Sequence, residues 1–405
     1  MPVAVLSFFL LVLVFSPSVT AIPGPQASSP SAYAGVPSAQ LAPPQGSGFA
    51  GDAACRDCHR AQFDSFLKTQ HHLTSHMPDS ISIAGSFAPG KNVMETFNPE
   101  LTFVMSQRKA DFYETARVRK QGKTTDETQR IDIVVGSATK GQTYLYWKGN
   151  ALFELPVSYW TRLKSWVNSP GYVDGSADFS RPVTPRCLEC HATYFQPASS
   201  AGSGSEEPEN HYNQSNFVLG ISCERCHGPA QQHIQGEQRA GQNPSTSHLP
   251  PAGLSRERRI DICAQCHAGV GQSVVPAFSF RPGRALADFV VIPQQPGQDR
   301  VDVHGNQVAL LEKSRCFQAS ANLTCSTCHD VHAPPKPAAS YSDRCLSCHQ
   351  AQQCGEVRKR GSAAAADCID CHMPVQASSQ LTVDTEESRL PARVRNHWIR
   401  VYGKN

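Results

Sequence analysis

The sequence predicts a mainly α-helical and irregular fold that is packed around bound cofactors, with a small antiparallel β-rich insert. Three observations lead to this prediction. The pentapeptide Cys-x-x-Cys-His occurs seven times, and six copies are crowded between residues 187 and 372. Residues 60–186 lack the motif and are rich in β-branched and aromatic residues. Aromatic residues make up only 8% of the chain, which is little for one large core of side chains.

The seven motifs have the residue types and the spacing that attach a c-type haem. Two thiols bond covalently to the porphyrin, and the adjacent imidazole ligates iron from one face. Numbered along the chain, motifs 1 to 7 begin at residues 55, 187, 223, 263, 325, 345 and 368. The predicted attachment cysteines are Cys55, Cys58, Cys187, Cys190, Cys223, Cys226, Cys263, Cys266, Cys325, Cys328, Cys345, Cys348, Cys368 and Cys371. The predicted iron ligands are His59, His191, His227, His267, His329, His349 and His372. The sequence therefore predicts seven covalent haems with their iron.

Two other readings of the motif fit less well. Structural zinc sites also use Cys-x-x-Cys pairs, but they need no His directly after every second Cys. A thioredoxin-like redox motif predicts a single Cys-x-x-Cys beside a βαβ pattern and leaves seven histidines without a role.

The beginning of the chain predicts export. Residues 3–15 are apolar and precede Val19-Thr20-Ala21, which is a small-residue cleavage pattern, so residues 1–21 are expected to be a signal peptide. Residues 22–50 are rich in Pro, Ser and Ala and are expected to form a disordered leader. No later stretch is apolar enough to span a bilayer. We expect a periplasmic or cell-surface protein without a membrane span after signal removal.

The rest of the chain divides at the motifs. Residues 51–91 form the first haem segment, residues 92–175 the haem-free β-rich insert, residues 176–375 the six-haem region and residues 376–405 a C-terminal tail. Within the insert, strands are predicted near residues 101–105, 113–119, 131–135, 143–147 and 152–157, because these runs alternate partly and are separated by Gly or charged turns. Between later motifs, short helices carrying the His and joined by Pro and Gly loops are expected to pack the haems against one another.

The formal charge of +3 does not indicate a nucleic-acid partner. Each haem would add two carboxylates that are ionised near neutral pH, so the holoprotein is expected to be acidic. The sequence also contains no basic stripe.

Nine histidines outside the motifs are candidates for the second face of an iron. His332 follows His329 by three residues, His233 follows His227 by six, and His71 follows His59 by twelve. These three are the strongest candidates for distal ligands of neighbouring haems. His397 is a further candidate because the polar C-terminal tail would need an attachment to be ordered. The remaining ones are His304, which also fits a simple turn residue, then His72, His76 and His211 as reserves, and His248, which is expected to be exposed.

Cys316 and Cys354 belong to no motif. Outside the cytoplasm, two such thiols are expected to form a disulfide, although two separate buried thiols or a thiolate ligand to iron remain alternatives.

Three haem-bearing runs resemble a known family. They are Cys55-Arg-Asp-Cys-His-Arg-Ala-Gln-Phe-Asp-Ser-Phe-Leu-Lys-Thr-Gln-His71, Cys223-Glu-Arg-Cys-His-Gly-Pro with His233, and Cys325-Ser-Thr-Cys-His-Asp-Val-His332. They are similar to multihaem cytochromes c of the c-554 type, which implies electron transfer. The β-rich insert and the seven motifs depart from the tetrahaem pattern of that family, so its haem-by-haem ligation does not carry over.

The expected function is therefore electron transfer between redox protein partners, or from a quinol-linked donor, outside the cytoplasm. The alternative is a multihaem oxidoreductase acting on nitrite, hydroxylamine or a similar small nitrogen compound at an open haem. A third reading is a haem-bearing module of a larger cell-surface complex. The sequence gives no oligomeric state.

Overall fold

A computed structural model describes residues 48–198, 209–239, 251–292, 306–384 and 389–402. The predicted signal peptide, all but the last three residues of the predicted leader, His248 and His304 lie outside these ranges. No helix in the described ranges is long and apolar enough to cross a membrane.

The helices are short. They are α1 Arg60–Phe66, α2 Pro185–His191, α3 Cys223–His227, α4 Gln231–Gln238, α5 Arg256–His267, α6 Gln307–Glu312, α7 Arg315–Ala319, α8 Cys325–Cys328, α9 Ser342–Leu346, α10 Gly355–Arg360 and α11 Cys368–His372.

The strands occur throughout the described chain. They are β1 Ser75–His76, β2 Val93–Glu95, β3 Leu101–Arg108, β4 Asp111–Lys120, β5 Lys123–Arg130, β6 Ile133–Val135, β7 Gly141–Lys148, β8 Ala151–Glu154, β9 Val157–Trp160, β10 Ser165–Asn168, β11 Ala192–Pro197, β12 Tyr212–Leu219, β13 Gln272–Ser273, β14 Val290–Val291, β15 Val375–Asp384 and β16 Arg389–Arg395.

The interval between motifs 1 and 2 contains two antiparallel sheets. One has the order β2-β3-β4-β5, and the other has the order β1-β6-β7-β9-β10 with β8 paired to β7. Apolar side chains from both sheets share one core that includes Phe103, Met105, Phe112, Tyr144 and Trp166. Alternation places these residues on the inner faces, while β5 is almost entirely exposed. The insert therefore has a side-chain core of its own.

The expectation of a mainly α-helical fold is corrected by the structure. Strands are about as common as helices, and they are not confined to the insert. Three further antiparallel hairpins, β11–β12, β13–β14 and β15–β16, lie among or after the haem motifs. The physical reason is that a motif needs only one or two helical turns, so the connecting chain satisfies its backbone hydrogen bonds by pairing as strands. The last hairpin occupies part of the predicted C-terminal tail.

One carboxyl group is enclosed in the core of the insert. Glu114 on β4 is 0% exposed, and its Oε1 atom accepts a hydrogen bond of 3.1 Å from the Val157 amide. Its Oε2 atom has no hydrogen-bond partner within the described ranges. Burial raises the pKa of Glu114 well above its usual value, because the charged form is poorly solvated there.

This burial predicts a pH-dependent stability effect. A carboxyl whose pKa is raised on folding binds its proton more tightly in the folded state, so its contribution to stability falls as pH rises from the ordinary value toward the raised one. The Glu114→Gln variant stays neutral at every pH. Its melting temperature relative to the parent protein should therefore increase between pH 4.5 and pH 8, as followed by circular dichroism of the β signal. Exposed Glu100→Gln is the control, and a difference that is constant with pH would contradict the prediction.

Candidate metal centres

Each motif is built on a tight helical turn. Motifs 2, 3, 4 and 7 lie wholly within α2, α3, α5 and α11. In motif 1 the His59 amide donates to the Cys55 carbonyl at 2.8 Å. The same hydrogen bond in motif 5 joins the His329 amide to the carbonyl of its first cysteine at 2.9 Å. This turn brings both thiols to one side and sets the imidazole directly after them, as attachment to one porphyrin edge requires.

Motif 1 packs against motif 3, although 163 residues separate the two motifs in the chain. The amides of Ala50 and Gly51 donate to the two carboxylate oxygens of Glu224, both at 2.8 Å. In return, the Cys223 amide donates to Oδ1 of Asp52 at 2.9 Å. Burial raises the pKa of Asp52 to about 6. The two motifs are therefore joined by buried carboxylates that accept from backbone amides.

Motif 2 packs against motif 4. The Arg186 guanidinium donates to the Gln265 carbonyl at 2.9 Å, and the Cys190 thiol lies 3.8 Å from the same oxygen. The Cys266 thiol lies 3.7 Å from the Glu189 carbonyl. Attachment cysteines of the two motifs thus face each other across one short junction.

Thiols of different motifs also contact one another directly. Pairs of thiols close enough to shift each other's pKa join motif 1 to motif 3, motif 2 to motif 4 and motif 4 to motif 5; they are Cys55 with Cys223, Cys190 with Cys266 and Cys263 with Cys325. Motif 4 therefore contacts two other motifs and lies between the parts of the chain that carry motif 2 and motif 5.

Motifs 5, 6 and 7 continue from this centre. The Arg256 guanidinium on α5 donates to the Leu323 carbonyl just before motif 5 at 3.1 Å. The His329 ring lies 5.3 Å from the ring of Tyr341, which precedes motif 6. The Ser342 hydroxyl then donates to the Ala366 carbonyl before motif 7 at 2.8 Å. The Arg225 guanidinium of motif 3 donates to the Glu189 carbonyl of motif 2 at 3.0 Å, so all seven motifs are connected through short contacts.

Three motif histidines face a second imidazole. The ring centres of His267 and His71 are 6.2 Å apart, those of His227 and His332 are 5.9 Å apart, and those of His329 and His397 are 6.2 Å apart. Two metal–nitrogen bonds of roughly 2 Å each, plus the distance from each nitrogen to its ring centre, add to about 6 Å. Each pair therefore has the separation that one metal ion between the two rings would require.

The rings of His71, His267 and His329 are more than a third exposed, yet protein surrounds them closely. Burial, together with the neighbouring His71, His397 and His329, lowers the pKa of His267 to about 4. Burial also lowers the pKa of His71, His329 and His397. Surface exposure of the rings and the lowering of their pKa values by burial are both explained if the rings line a space that the chain surrounds but that no side chain fills. Paired thiols, facing imidazoles and such a space fit covalently attached haem.

The segment after motif 1 also reaches motif 2. The Ser75 hydroxyl donates to the His191 carbonyl at 2.6 Å, and Oγ1 of Thr74 lies 3.4 Å from Nδ1 of the same histidine. His72 and His76 flank this contact, and burial lowers the pKa of both. The sequence ranked these two only as reserves, although three histidines within residues 71–76 signalled a crowded site.

The remaining candidates are placed differently. His233 lies on α4 with Nδ1 3.9 Å from Oε1 of Glu237. His211 is in a backbone bridge with Ala151, and within the described ranges its Nδ1 is buried without a hydrogen-bond partner. His304 lies outside the described residues. The structure therefore brings three of the five predicted distal ligands next to motif imidazoles.

The predicted disulfide is absent, since Cys316 and Cys354 are both unbridged thiols. Cys316 lies in α7 and is close enough to Cys328 and Cys345 to contribute to their raised pKa values. Cys354 is the residue directly before α10, and its side chain makes no hydrogen bond to the beginning of that helix. The physical reason is that Cys316 lies beside attachment cysteines of motifs 5 and 6.

In the described ranges, no three His, Cys, Asp or Glu side chains converge as a metal-binding cluster. A structural zinc site needs four converging ligands. The pairwise arrangement of thiols and imidazoles seen in this chain therefore differs from the zinc alternative.

Sequence reasoning missed the charged residues inside the motifs. Glu189, Glu224 and Arg225 occupy the two positions between the cysteines of motifs 2 and 3 and are 5%, 3% and 6% exposed. Charged residues are rarely buried so completely unless they are paired or hydrogen-bonded. Their presence between the cysteines was the available signal.

Comparison with known proteins agrees with this geometry. Residues 160–228 match the family described as cytochrome c554 and c-prime. The chain is 25% identical over 210 residues to the multiheme cytochrome MtrA of Shewanella baltica (strain OS185), which covers 49% of this chain and 47% of MtrA. It is 24% identical over 170 residues to the C-type polyheme cytochrome OmcC of Geobacter sulfurreducens, which covers 40% of this chain and 20% of OmcC. The matches therefore span less than half the length of these curated relatives.

Among solved structures, the outer cell wall cytochrome OcwA has a similar fold. Its TM-score is 0.53 at 16% sequence identity, with 87% of this chain and 80% of OcwA covered.

Proposed function

We propose that this chain, a relative of the multihaem c-type cytochromes with a c554-type segment, carries seven covalent haems and transfers electrons between redox partners outside the cytoplasm. The observation that carries the proposal is the continuous set of contacts among the motifs. Haems attached at adjoining thiols stand close together, so electrons can pass between them without leaving the protein. When bound, the haem iron supplies the change of oxidation state, and the chain supplies position, ligands and charge.

The proposed ligation follows the facing imidazoles. His71, His332 and His397 would hold the second face of the irons of motifs 4, 3 and 5, since each of their rings lies about 6 Å from the motif histidine. His72 or His76 would serve motif 2, against which that segment packs. His233 and His304 remain proposed ligands for other motifs. Two imidazoles on one iron keep its reduction potential lower than a His and Met pair does.

The contacts define the proposed route. It runs from motif 1 to motif 3, and from motif 4 through motifs 5 and 6 to motif 7, while motif 2 joins at motif 4. The ring of His71, which follows motif 1, lies against His267 of motif 4 and so links the part with motifs 1 and 3 to the part that begins at motif 4. Redox protein partners, or a quinol-linked donor, would exchange electrons with the haems at the exposed ends of this route.

The haem count tests the proposal first. Intact mass and a pyridine haemochrome assay of the exported protein should both give seven haems per chain, and the amino terminus should begin after Ala21. The visible spectrum should then change reversibly over seven electrons in a potential titration. Fewer than seven haems, or a chain that accepts no electrons from an electrode, would overturn it.

A second candidate function has one observation in its favour. After His332, the sequence contains only the motif histidines His349 and His372 and the single further histidine His397, whose ring lies against motif 5. An iron of motif 6 or motif 7 could then keep an open face, where nitrite or hydroxylamine would bind and be reduced. Electron paramagnetic resonance of the oxidised protein decides between the two functions. A high-spin signal that shifts on adding nitrite favours the enzyme, and only low-spin signals favour the carrier.

A further inference from the structure

The short helix α3 carries buried charges of opposite sign toward two different motif junctions. The Glu224 carboxylate accepts from the amides of Ala50, Gly51 and Ala230, each at 2.8 Å, at the junction of motifs 1 and 3. The next residue, Arg225, donates to the Glu189 carbonyl at 3.0 Å, at the junction of motifs 2 and 4. These contacts fix which charge faces which junction.

The positive side is not neutralised by its neighbours. Arg186 and Arg225 share this junction, and Arg281 is close enough that Arg225 helps burial to lower the pKa of its guanidinium. Glu189 is the acidic side chain that pairs with Arg186, at 3.3 Å, and its carboxylate also accepts from the Phe278 amide and the Ser273 hydroxyl. The cluster of three arginines and one glutamate therefore has an excess of positive charge.

Two atoms of this cluster are also without partners. Within the described ranges, Nε of Arg186 and Nε of Arg225 are buried and make no hydrogen bond. The Arg225 guanidinium and the Cys266 thiol both contact the Glu189 carbonyl oxygen. In the same way, the Arg186 guanidinium and the Cys190 thiol both contact the Gln265 carbonyl oxygen. Both guanidinium groups are thus beside attachment cysteines of motifs 2 and 4.

The negative side lies equally close to attachment cysteines. Glu224 directly follows Cys223 in α3, and the amides of Ala50 and Gly51, which donate to it, lie five and four residues before Cys55 of motif 1. Among the described residues, the hydrogen bonds that the Glu224 carboxylate accepts come from backbone amides and not from arginine or lysine side chains. Its charge is stabilised by backbone amides and remains a net negative charge at the motif 1 and motif 3 junction.

From these contacts, and resting on the proposed electron-transfer function, we propose that Glu224 and Arg225 give the haem array its direction. Buried charges act over short distances in a medium of low dielectric constant, and the net charge around a redox centre shifts its potential. A carboxylate disfavours an added electron, while a guanidinium group favours it. The centres at motifs 1 and 3 therefore have lower potentials than those at motifs 2 and 4, and electrons move from the Glu224 side to the Arg225 side.

The test is a spectroelectrochemical titration of the full haem-loaded protein and its variants. Arg225→Gln should shift the high-potential part of the reduction curve to lower potentials. Glu224→Gln should shift the low-potential part to higher potentials. Arg225→Lys keeps the charge while it changes the hydrogen bond, and should restore the parent curve. Arg119→Gln removes an exposed charge on β4 of the insert and should leave the curve unchanged.

Haem content is measured for every variant. Arg186→Gln removes a charge from the same cluster and gives a second measurement if Arg225→Gln fails to mature. Parent-like curves for Arg186→Gln and Glu224→Gln with seven haems present would overturn the proposed direction while electron transfer stands. A parent protein that shows no reversible reduction would instead overturn the proposed function.

Discussion

Replacing His332 by alanine is expected to convert one iron of the protein from low spin to high spin. The His332 ring lies 5.9 Å from the ring of His227 and nearly parallel to it, at an interplanar angle of 29°. Loss of this imidazole would leave the motif 3 iron with a single protein ligand. Covalent attachment should be intact, because the cysteines of motif 3 and His227 are unchanged.

The measurement is electron paramagnetic resonance of the oxidised variant together with a haem count. One new high-spin centre, a higher potential for one of seven electrons and seven retained haems are expected, since loss of an imidazole ligand disfavours the ferric state. His248→Ala is the control, because the sequence predicts His248 to be exposed and not to be a ligand. Identical spectra for the His332 variant and the parent protein would show that His332 is not a ligand.

Removing the attachment cysteines of motif 4 is expected to destabilise the protein more than removing those of motif 7. The Cys263→Ala, Cys266→Ala variant should lose one haem from the place where motifs 2 and 5 meet motif 4. The loss leaves a cavity larger than a deleted aromatic side chain, and deleting a buried Phe or Trp already costs roughly 3–5 kcal/mol. It would also remove the metal that His71 and His267 are proposed to share.

The matched variant is Cys368→Ala, Cys371→Ala, because Cys371 is exposed and motif 7 follows motif 6 at one end of the contacts. Thermal unfolding followed at the haem absorption should show a lower melting temperature for the motif 4 variant than for the motif 7 variant. Six haems in each variant validate the comparison. Equal melting temperatures would mean that motif 4 is not at the centre of the packing.

Local patterns allowed part of the site to be predicted. The five residues of a motif form one turn, so the positions of two thiols and an imidazole within that turn follow from sequence alone. The same reasoning selected His71, His233 and His332 for their positions near the motifs, and His397 because the C-terminal tail would need an attachment. The rings of His71, His332 and His397 lie against motif imidazoles, whereas His233 lies beside Glu237. Sequence reasoning did not select their partners, because a ring contact such as that of His71 with His267 joins segments 196 residues apart in numbering.

The fold was predicted less well where pairing is non-local. Alternation in the insert indicated strands, but β11–β12 and β15–β16 were missed, since their residues lie beside motifs that favour helix. The Cys316 and Cys354 prediction was wrong in the structure for a similar reason. Composition shows that two thiols are unassigned, but it does not show that Cys316 faces motifs 5 and 6.

The sequence by itself determined the seven attachment motifs and the relationship to multihaem c-type cytochromes, because covalent attachment is a property of five consecutive residues. Only the tertiary structure decided that motif 1 adjoins motif 3, that motif 2 adjoins motif 4, and that Glu224 and Arg225 face different junctions. Those relations depend on contacts between distant segments and on which side of a short helix is enclosed. Contacts between distant segments therefore determine which charges lie at each motif junction, whereas the five residues of a motif determine the chemistry of haem attachment.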